Sequence, residues 1–543
     1  MLKNSFRYVV LIVLFLILAI VIVYRAQGVG IEEGVSSIQS DMVDNLANDS
    51  EERALSEAMA VYLSYNKLKL IDLANNGNDY AALMLVRVYT EGVNSLKDTS
   101  QAESWLSKGK AKLPQLDRLS SSGNVIAMSW LANQYRDSED SGIQSKAVTL
   151  LQTAAGRQYH YSMRLLSFMY ESGKSGLHVD QQKSIEWLKK AADAGDALSM
   201  TKLGSMYANG AEGLPKDTRL GMSWYKRAAE SGSGPAMRDI GIMYELGLAG
   251  LPKDAKIAFN WYEKAVAVAD PGAMVNIGNM YFSGNEYVEK DETKAFEWYE
   301  KAADLGEASA MSNLGTMYFY GSGNLSKDEL EGTKWYEKAA DYGYLNAMYS
   351  LGGIYFSQDK GLPKDESRAV YWYQSAALAG HADAMSTLGW FYLHGKANFP
   401  QDELKAAEWF SKSAEAGSAL GMSNLGLFYL NGFGVVAKDE EKALQYFKQS
   451  AELGDVDGMN NLANMYFLGR GGLTQDDAKT VEWALKAAEL GSTESMNSVG
   501  WMYLRGRGGF EKSEKKAIEW YKKSAMLGNE AAKSRLEKLG LIN

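Results

Sequence analysis

A chain of 543 residues is too long for one compact core, and with Lys+Arg 57 against Asp+Glu 67 it carries a net charge of -10 and no clustered basic stretch. That balance excludes a nucleic-acid partner, because binding a duplex needs grouped cations to displace counterions from the phosphates. Cysteine is absent, which excludes a disulfide framework and any thiolate metal site, and 53 Gly beside 7 Pro suit many short helices joined by tight turns.

The first element is apolar. Lys3 and Arg7 precede an unbroken run from Val9 to Val23, edged by Tyr8 and Tyr24 and followed by Arg25. Its length falls between a cleaved signal and a membrane span, and the edging tyrosines suit interfacial anchoring. A transmembrane helix over residues 8–24 is therefore expected, with Ala26-Gln27-Gly28 as the alternative, a cleavage site. Basic residues before the run and Glu32, Glu33, Asp41 and Asp44 after it place the N-terminus in the cytoplasm and the remainder across the membrane. The expectation is a single-pass protein of the inner membrane facing the periplasm or, after cleavage, a periplasmic or secreted one. Residues 1–25 form the anchor or signal segment and 26–50 a linker.

Residues 51–158 read as an irregular helical cap with degenerate repeats. Glu51 to Asn75 suggests a capping helix, and Asn78 to Gly92 with Thr99 to Leu119 a long irregular pair. Ala127 to Tyr135 and Ser145 to Ala155 give a first recognisable unit.

From 159 to 528 the sequence matches itself at a period of 37 residues, ten times over. Tyr170, Tyr207 and Tyr244 begin a column that runs to Tyr503, and Met163, Met200 and Met237 one that runs to Met496. A third holds Trp187, Trp224, Trp261 and their successors to Trp520, with Tyr446 standing in once. In the unit 196–232, Ser199, Met200, Leu203, Gly204 and Tyr207 recur at three- and four-residue steps, as do Gly221, Trp224, Tyr225, Ala228 and Ala229. Each set lines one face of a helix, so each unit is predicted to be a helix pair packed through small residues with large ones between. The recurrent Lys-Asp, as at Lys216-Asp217, supplies an Asp to cap the second helix, and Gly195, Gly232 and their equivalents supply a left-handed stop. Where Ala269 takes the place of that glycine, Pro271 is expected to block continuation instead. Residues 529–543 resemble half a unit with a charged surface, a C-terminal capping helix.

The recurrent A-M-x-N-L-G-x-M-Y-x-x-G, then K-D, then A-x-x-W-Y-x-K-A-A-x-x-G, resembles the Sel1-like repeat family, relatives of the tetratricopeptide repeats. The resemblance implies an all-α fold, an α/α solenoid wound as a right-handed superhelix of helix-turn-helix repeats, used as an adaptor whose concave groove holds protein partners. Immunity proteins that neutralise secreted toxins belong to the same family, which keeps that role open.

Reactive constellations are missing from the pattern. His160, His178, His381 and His394 have no second ligand at helix-face spacing, and no H-E-x-x-H or G-x-S-x-G occurs. Gly469-Arg470-Gly471-Gly472 and Gly506-Arg507-Gly508-Gly509 lack the Gly-Lys-Ser/Thr ending of a phosphate loop and read as inter-helix turns. No catalytic, cofactor-binding or metal-ligating residue is assigned, and an envelope hydrolase is the remaining alternative of another class.

Binding residues are sought between the packing columns. Asn276, Asn313, Asn424 and Asn461 share a column, with Asn279, Asn464 and Asn497 nearby. Asparagine competes with the helical backbone for hydrogen bonds, so it stands there either as a ladder that grips an extended segment or as a link to the neighbouring unit. Trp390 and Trp501 share one further column, and His394 and Arg505 another. Trp and Arg are common interface anchors, so Asn461, Asn464, Asn497, Trp501 and Arg505 form the expected contact patch, with local packing as the alternative.

Overall fold

The computed structural model describes residues 50–59, 67–91, 99–357, 363–433 and 437–541. The expected anchor over 8–24 and its linker lie outside the described residues, and no described helix is long and apolar enough to cross a membrane. The described residues are helices joined by turns, in two compact units. One runs to Ile277 and includes Asn285–Tyr287; the other comprises Gly278–Gly284 and everything from Val288.

In the N-terminal stretch the described helical segments are 50–59, Lys67–Asn75, Asp79–Glu91, Thr99–Gly109, Leu113–Ser121, Val125–Tyr135 and Ser141–Gly156. The long second helix expected from Thr99 to Leu119 is two helices parted by a 3-10 turn at Lys110–Lys112. Pro114 explains the break: it has no N–H to offer an α-helical ladder and sits in the first turn of Leu113–Ser121.

Each regular unit is a pair of helices, as in Ala197–Asn209 and Thr218–Glu230. Asp196 caps the first by accepting from the Ser199 N–H at 2.9 Å, and Asp217 caps the second by accepting from Arg219 and Leu220. Asp217 also works through its backbone, donating its N–H to the Tyr207 carbonyl at 2.8 Å. The same bond recurs from Asp254 to Tyr244 and onward to Ser513 and Tyr503, so the capping residue also ties the start of the second helix to the end of the first. The stop after the second helix is left-handed, as at Gly195 with φ +97°. Ala269 adopts that conformation too, at φ +61°, and donates its N–H to Val266. Alanine thus carries the turn with some strain, and Pro271, the first residue of the next helix, is not what ends the previous one.

Packing within a pair rests on a glycine against an aromatic ring. Gly241 faces Tyr262, Gly278 faces Tyr299, Gly389 faces Phe410 and Gly426 faces Phe447, so closely that an added Cβ would lie 2.4 to 2.8 Å from ring atoms. These rings are the buried ones, Tyr262 and Phe447 being 0 % exposed. The tryptophan column is only partly buried and, Trp372 apart, is covered by a cation one helical turn on: Lys264 lies 4.0 Å from the Trp261 ring centre and Lys338 3.9 Å from that of Trp335. Along Ala382–His394, Ala419–Asn431 and Val456–Leu468, first helices of successive repeats touch one another directly as well as through the second helices between them.

His381 starts the helix Ala382–His394, its Nδ1 accepting from the Ala384 N–H at 3.2 Å while its ring stacks on Tyr349 at 4.7 Å. Burial lowers its pKa from 6.5, against the opposing pull of Asp383. A base whose folded pKa is depressed contributes stability that is complete above its unfolded pKa and is lost as pH falls from there towards the folded value. Replacing it with Ser, the cap used at Ser418 and Ser492, is expected to keep the helix and flatten the stability profile below about pH 6.5, the ordinary His value. Urea midpoints from pH 5 to 8 measure this, and an unchanged acid slope in His381→Ser would assign it elsewhere.

Candidate functional site

The ring column runs Leu188, Tyr225, Tyr262, Tyr299, Tyr336, Tyr373, Phe410, Phe447, Ala484, Tyr521. At Ala484 the ring is missing, and the facing glycine is Ala463. There the structure has a pocket of about 290 Å³ between the repeats 456–492 and 493–529. Its apolar lining is Ala463, Ala484, Phe467, Trp501 and Met502; its polar lining comes from Asn460, Asn464, Thr480, Glu494, Ser495, Asn497 and Ser498, with Arg535 from the helix Glu530–Lys538.

One wall is fixed from behind. Phe467 and Trp501 meet edge to face at 5.6 Å, and the Arg507 guanidinium lies over both rings, 5.2 and 5.5 Å from their centres. Asp477 holds that guanidinium through two bonds of 2.6 and 2.9 Å, so an ion pair positions the aromatic wall. Asn460 is already engaged, its Oδ1 accepting from the Ser492 hydroxyl at 3.1 Å and from Ser495. Arg535 donates to the Tyr521 hydroxyl at 3.2 Å. Asn497 differs: its Oδ1 is buried and accepts from no protein group. Glu494 is the single carboxylate in the lining, and neither His nor Lys joins it, so the arrangement offers hydrogen bonds and apolar walls rather than an acid–base pair.

Of the sequence-predicted residues, Asn464, Asn497 and Trp501 come together here. Asn461 does not line the pocket; its amide donates to Ser423 of the preceding repeat at 3.5 Å. Arg505 is exposed at the end of Thr493–Arg505. Asn424 donates to Ser386 at 3.0 Å and Asn313 to Asn279 at 3.4 Å, while Asn279 accepts from the Tyr299 hydroxyl at 2.7 Å. The Asn276 amide nitrogen is buried beside the Tyr262 phenol. Most of the asparagine column is thus spent inside or between repeats. Trp390 and His394 form their own pair, with ring centres 4.6 Å apart and planes tilted by 33°, and Trp390 38 % exposed, apart from the pocket. Ala463, Ala484, Phe467, Glu494 and Arg535 were not singled out by sequence; the break in the ring column at Ala484 was the available signal.

Helix pairs at a fixed period, each tied and capped alike, define an all-helical repeat solenoid. The Sel1 repeat matches ten segments, contiguous from 160 to 267 and from 271 to 529, and the chain belongs to that family. Sel1 repeats in general mediate protein–protein interaction. Among solved structures, the chain is similar to a protective antigen of uropathogenic Escherichia coli with an SLR fold (27 % identity, 79 % of this chain and 90 % of that one, TM-score 0.42). It is similar also to a Sel1 repeat protein of Oxalobacter formigenes (32 %, 47 % and 100 %, 0.42) and to an immunity protein of Pseudomonas aeruginosa (22 %, 40 % and 81 %, 0.33). No curated protein matches it.

Proposed function

We propose that this chain is a membrane-held adaptor that docks a protein partner on the face of its first helices, with the pocket beside Trp501 as an anchor point. The observation that carries the reading is a pre-built opening with a braced aromatic wall, a few polar groups and no resident side chain filling it. Interfaces concentrate their energy in such places, where a partner side chain is surrounded on all sides. The tether rests on the sequence: Lys3 and Arg7, then Val9 to Val23, then an acidic stretch, which argue for an uncleaved anchor with the repeats on the periplasmic side.

In-cell photo-crosslinking from position Ser498, followed by identification of the captured protein, tests the docking. Trp501→Ala should lower that specific adduct by roughly 30-fold, the effect of losing an anchor of about 2 kcal/mol, with far-UV circular dichroism unchanged. Equal capture by the variant would refute docking at this place, and recovery of the intact chain in a soluble cytosolic fraction would refute the tether. Capture of a toxin or lipase that acts in the periplasm would convert the adaptor into an immunity protein.

A further inference from the structure

We propose that the pocket between the repeats 456–492 and 493–529 is a socket for a tyrosine side chain presented by the protein partner. This deepens the adaptor reading and rests on it.

The argument comes from the repeats themselves. In the units 271–307 and 308–344 a tyrosine ring on the second helix enters the space between helices, and its hydroxyl meets the residue at the Asn464 position of the same unit. Tyr299 donates to Asn279 at 2.7 Å, and the Tyr336 hydroxyl lies 2.8 Å from that of Thr316. Asn464 carries the same amide as Asn279, lines the pocket and has no side-chain hydrogen bond, because Ala484 stands where the phenol would be. Ala463 makes the omission two-sided. A Cβ at the equivalent glycines would lie 2.4 to 3.1 Å from the ring, so alanine there suits only a repeat whose own ring is gone. What remains is a space of about 290 Å³. A dry cavity of roughly half that volume, about 150 Å³, holds benzene.

The remaining lining fits the same guest. Trp501 and Phe467 offer an aromatic edge and face for stacking, and the Asn497 Oδ1 is a second acceptor to which no protein group donates. Glu494 opposes a phosphate, and the one lining cation, Arg535, already serves Tyr521, so the guest is a neutral phenol rather than its phosphorylated form. The phenol gives its one O–H to Asn464, as Tyr299 gives its own to Asn279, whereas a leucine has no donor for either amide.

The test titrates the detergent-solubilised full chain with N-acetyltyrosinamide, N-acetylphenylalaninamide, N-acetylleucinamide and the phosphorylated tyrosine amide, read by ligand-observed NMR. Tyrosinamide is expected to bind about five- to tenfold more tightly than phenylalaninamide, the worth of one hydrogen bond, and the other two more weakly still. Asn464→Ala, at an exposed helix position, should erase the tyrosine preference. The double variant Ala463→Gly with Ala484→Tyr restores the glycine–tyrosine pair found in six of the other repeats; it should abolish binding while slowing hydrogen exchange of Val456–Leu468 and Asp477–Glu489. Binding that survives in the double variant, equal affinity for tyrosine and leucine amides, or no binding of any probe would overturn the socket. The Ser498 crosslink separates this from the parent reading: a partner still captured by the double variant in native yield removes the socket and leaves the adaptor standing.

Discussion

Truncating Phe447 to alanine is expected to destabilise its repeat by about 3–5 kcal/mol, the cost of deleting a fully buried aromatic and leaving its space behind. Gly426→Ala should cost about 1–3 kcal/mol by itself, because the new Cβ would lie 2.7 Å from the Phe447 ring and force the helices apart. Together the two changes should not add. Once the ring is gone the three atoms nearest the new Cβ go with it, and alanine then improves the helix over glycine by about 1 kcal/mol. The cycle should therefore show a coupling of about 2–4 kcal/mol between positions 426 and 447. Ala463 with Ala484 is that double replacement as it occurs in the chain. Because a repeat array can open locally, the measurement is native-state hydrogen exchange of Ala419–Asn431 and Glu440–Glu452 rather than one melting curve. Simple additivity would mean that glycine and ring do not share one contact.

The same pair shows what the sequence could and could not reveal. The helix pairs were legible because capping and turn chemistry are local: Asp217 caps, Gly195 turns, and both declare themselves by residue type and position. Ala269 misled because a left-handed turn can be borne by alanine when backbone bonds on either side hold it, and residue type alone cannot report that. Contacts between repeats were harder, since they depend on how one unit is rotated on the next. No spacing rule indicates that the Asn424 amide meets Ser386, so the asparagine ladder read equally well as a binding surface. Trp501, Asn464 and Asn497 were found because Trp and Asn are unusual between packing columns. The pocket they line was not, because it is made by a residue that is absent, and Ala484 looks innocuous until its column is read downward.

The second large effect is expected at a joint between repeats in the N-terminal unit. Asp196 is buried, caps Ala197–Asn209 through the Ser199 N–H at 2.9 Å, and accepts from the Ser199 hydroxyl at 2.6 Å. It also faces back to the preceding first helix, 3.1 Å from His160 Nδ1 and 3.1 Å from Arg164 Nε. Asp196→Ala removes the cap, worth about 1 kcal/mol, and leaves the partly buried Arg164 guanidinium and the His160 ring facing an apolar methyl. The sum should be about 2–4 kcal/mol, below the 3–5 of a fully buried pair because the Arg164 and His160 side chains are 18 % and 35 % exposed. Asp196→Asn keeps an oxygen for the cap and should recover roughly 1 kcal/mol of that loss. Acid separates charge from cap. Burial pushes the Asp196 carboxyl up, but His160, Arg164 and Ser199 together outweigh it and hold the pKa below 3.8. A depressed carboxylate contributes stability that is present above its unfolded pKa and is lost as pH falls through the folded one. The wild type should therefore weaken at this joint below about pH 4, whereas Asp196→Asn should not, and hydrogen exchange of His160–Ser172 and Ala197–Asn209 across that range reads the difference. Matching acid profiles in the two proteins would mean that the carboxylate acts as a cap alone and that its charge does nothing to couple one repeat to the next.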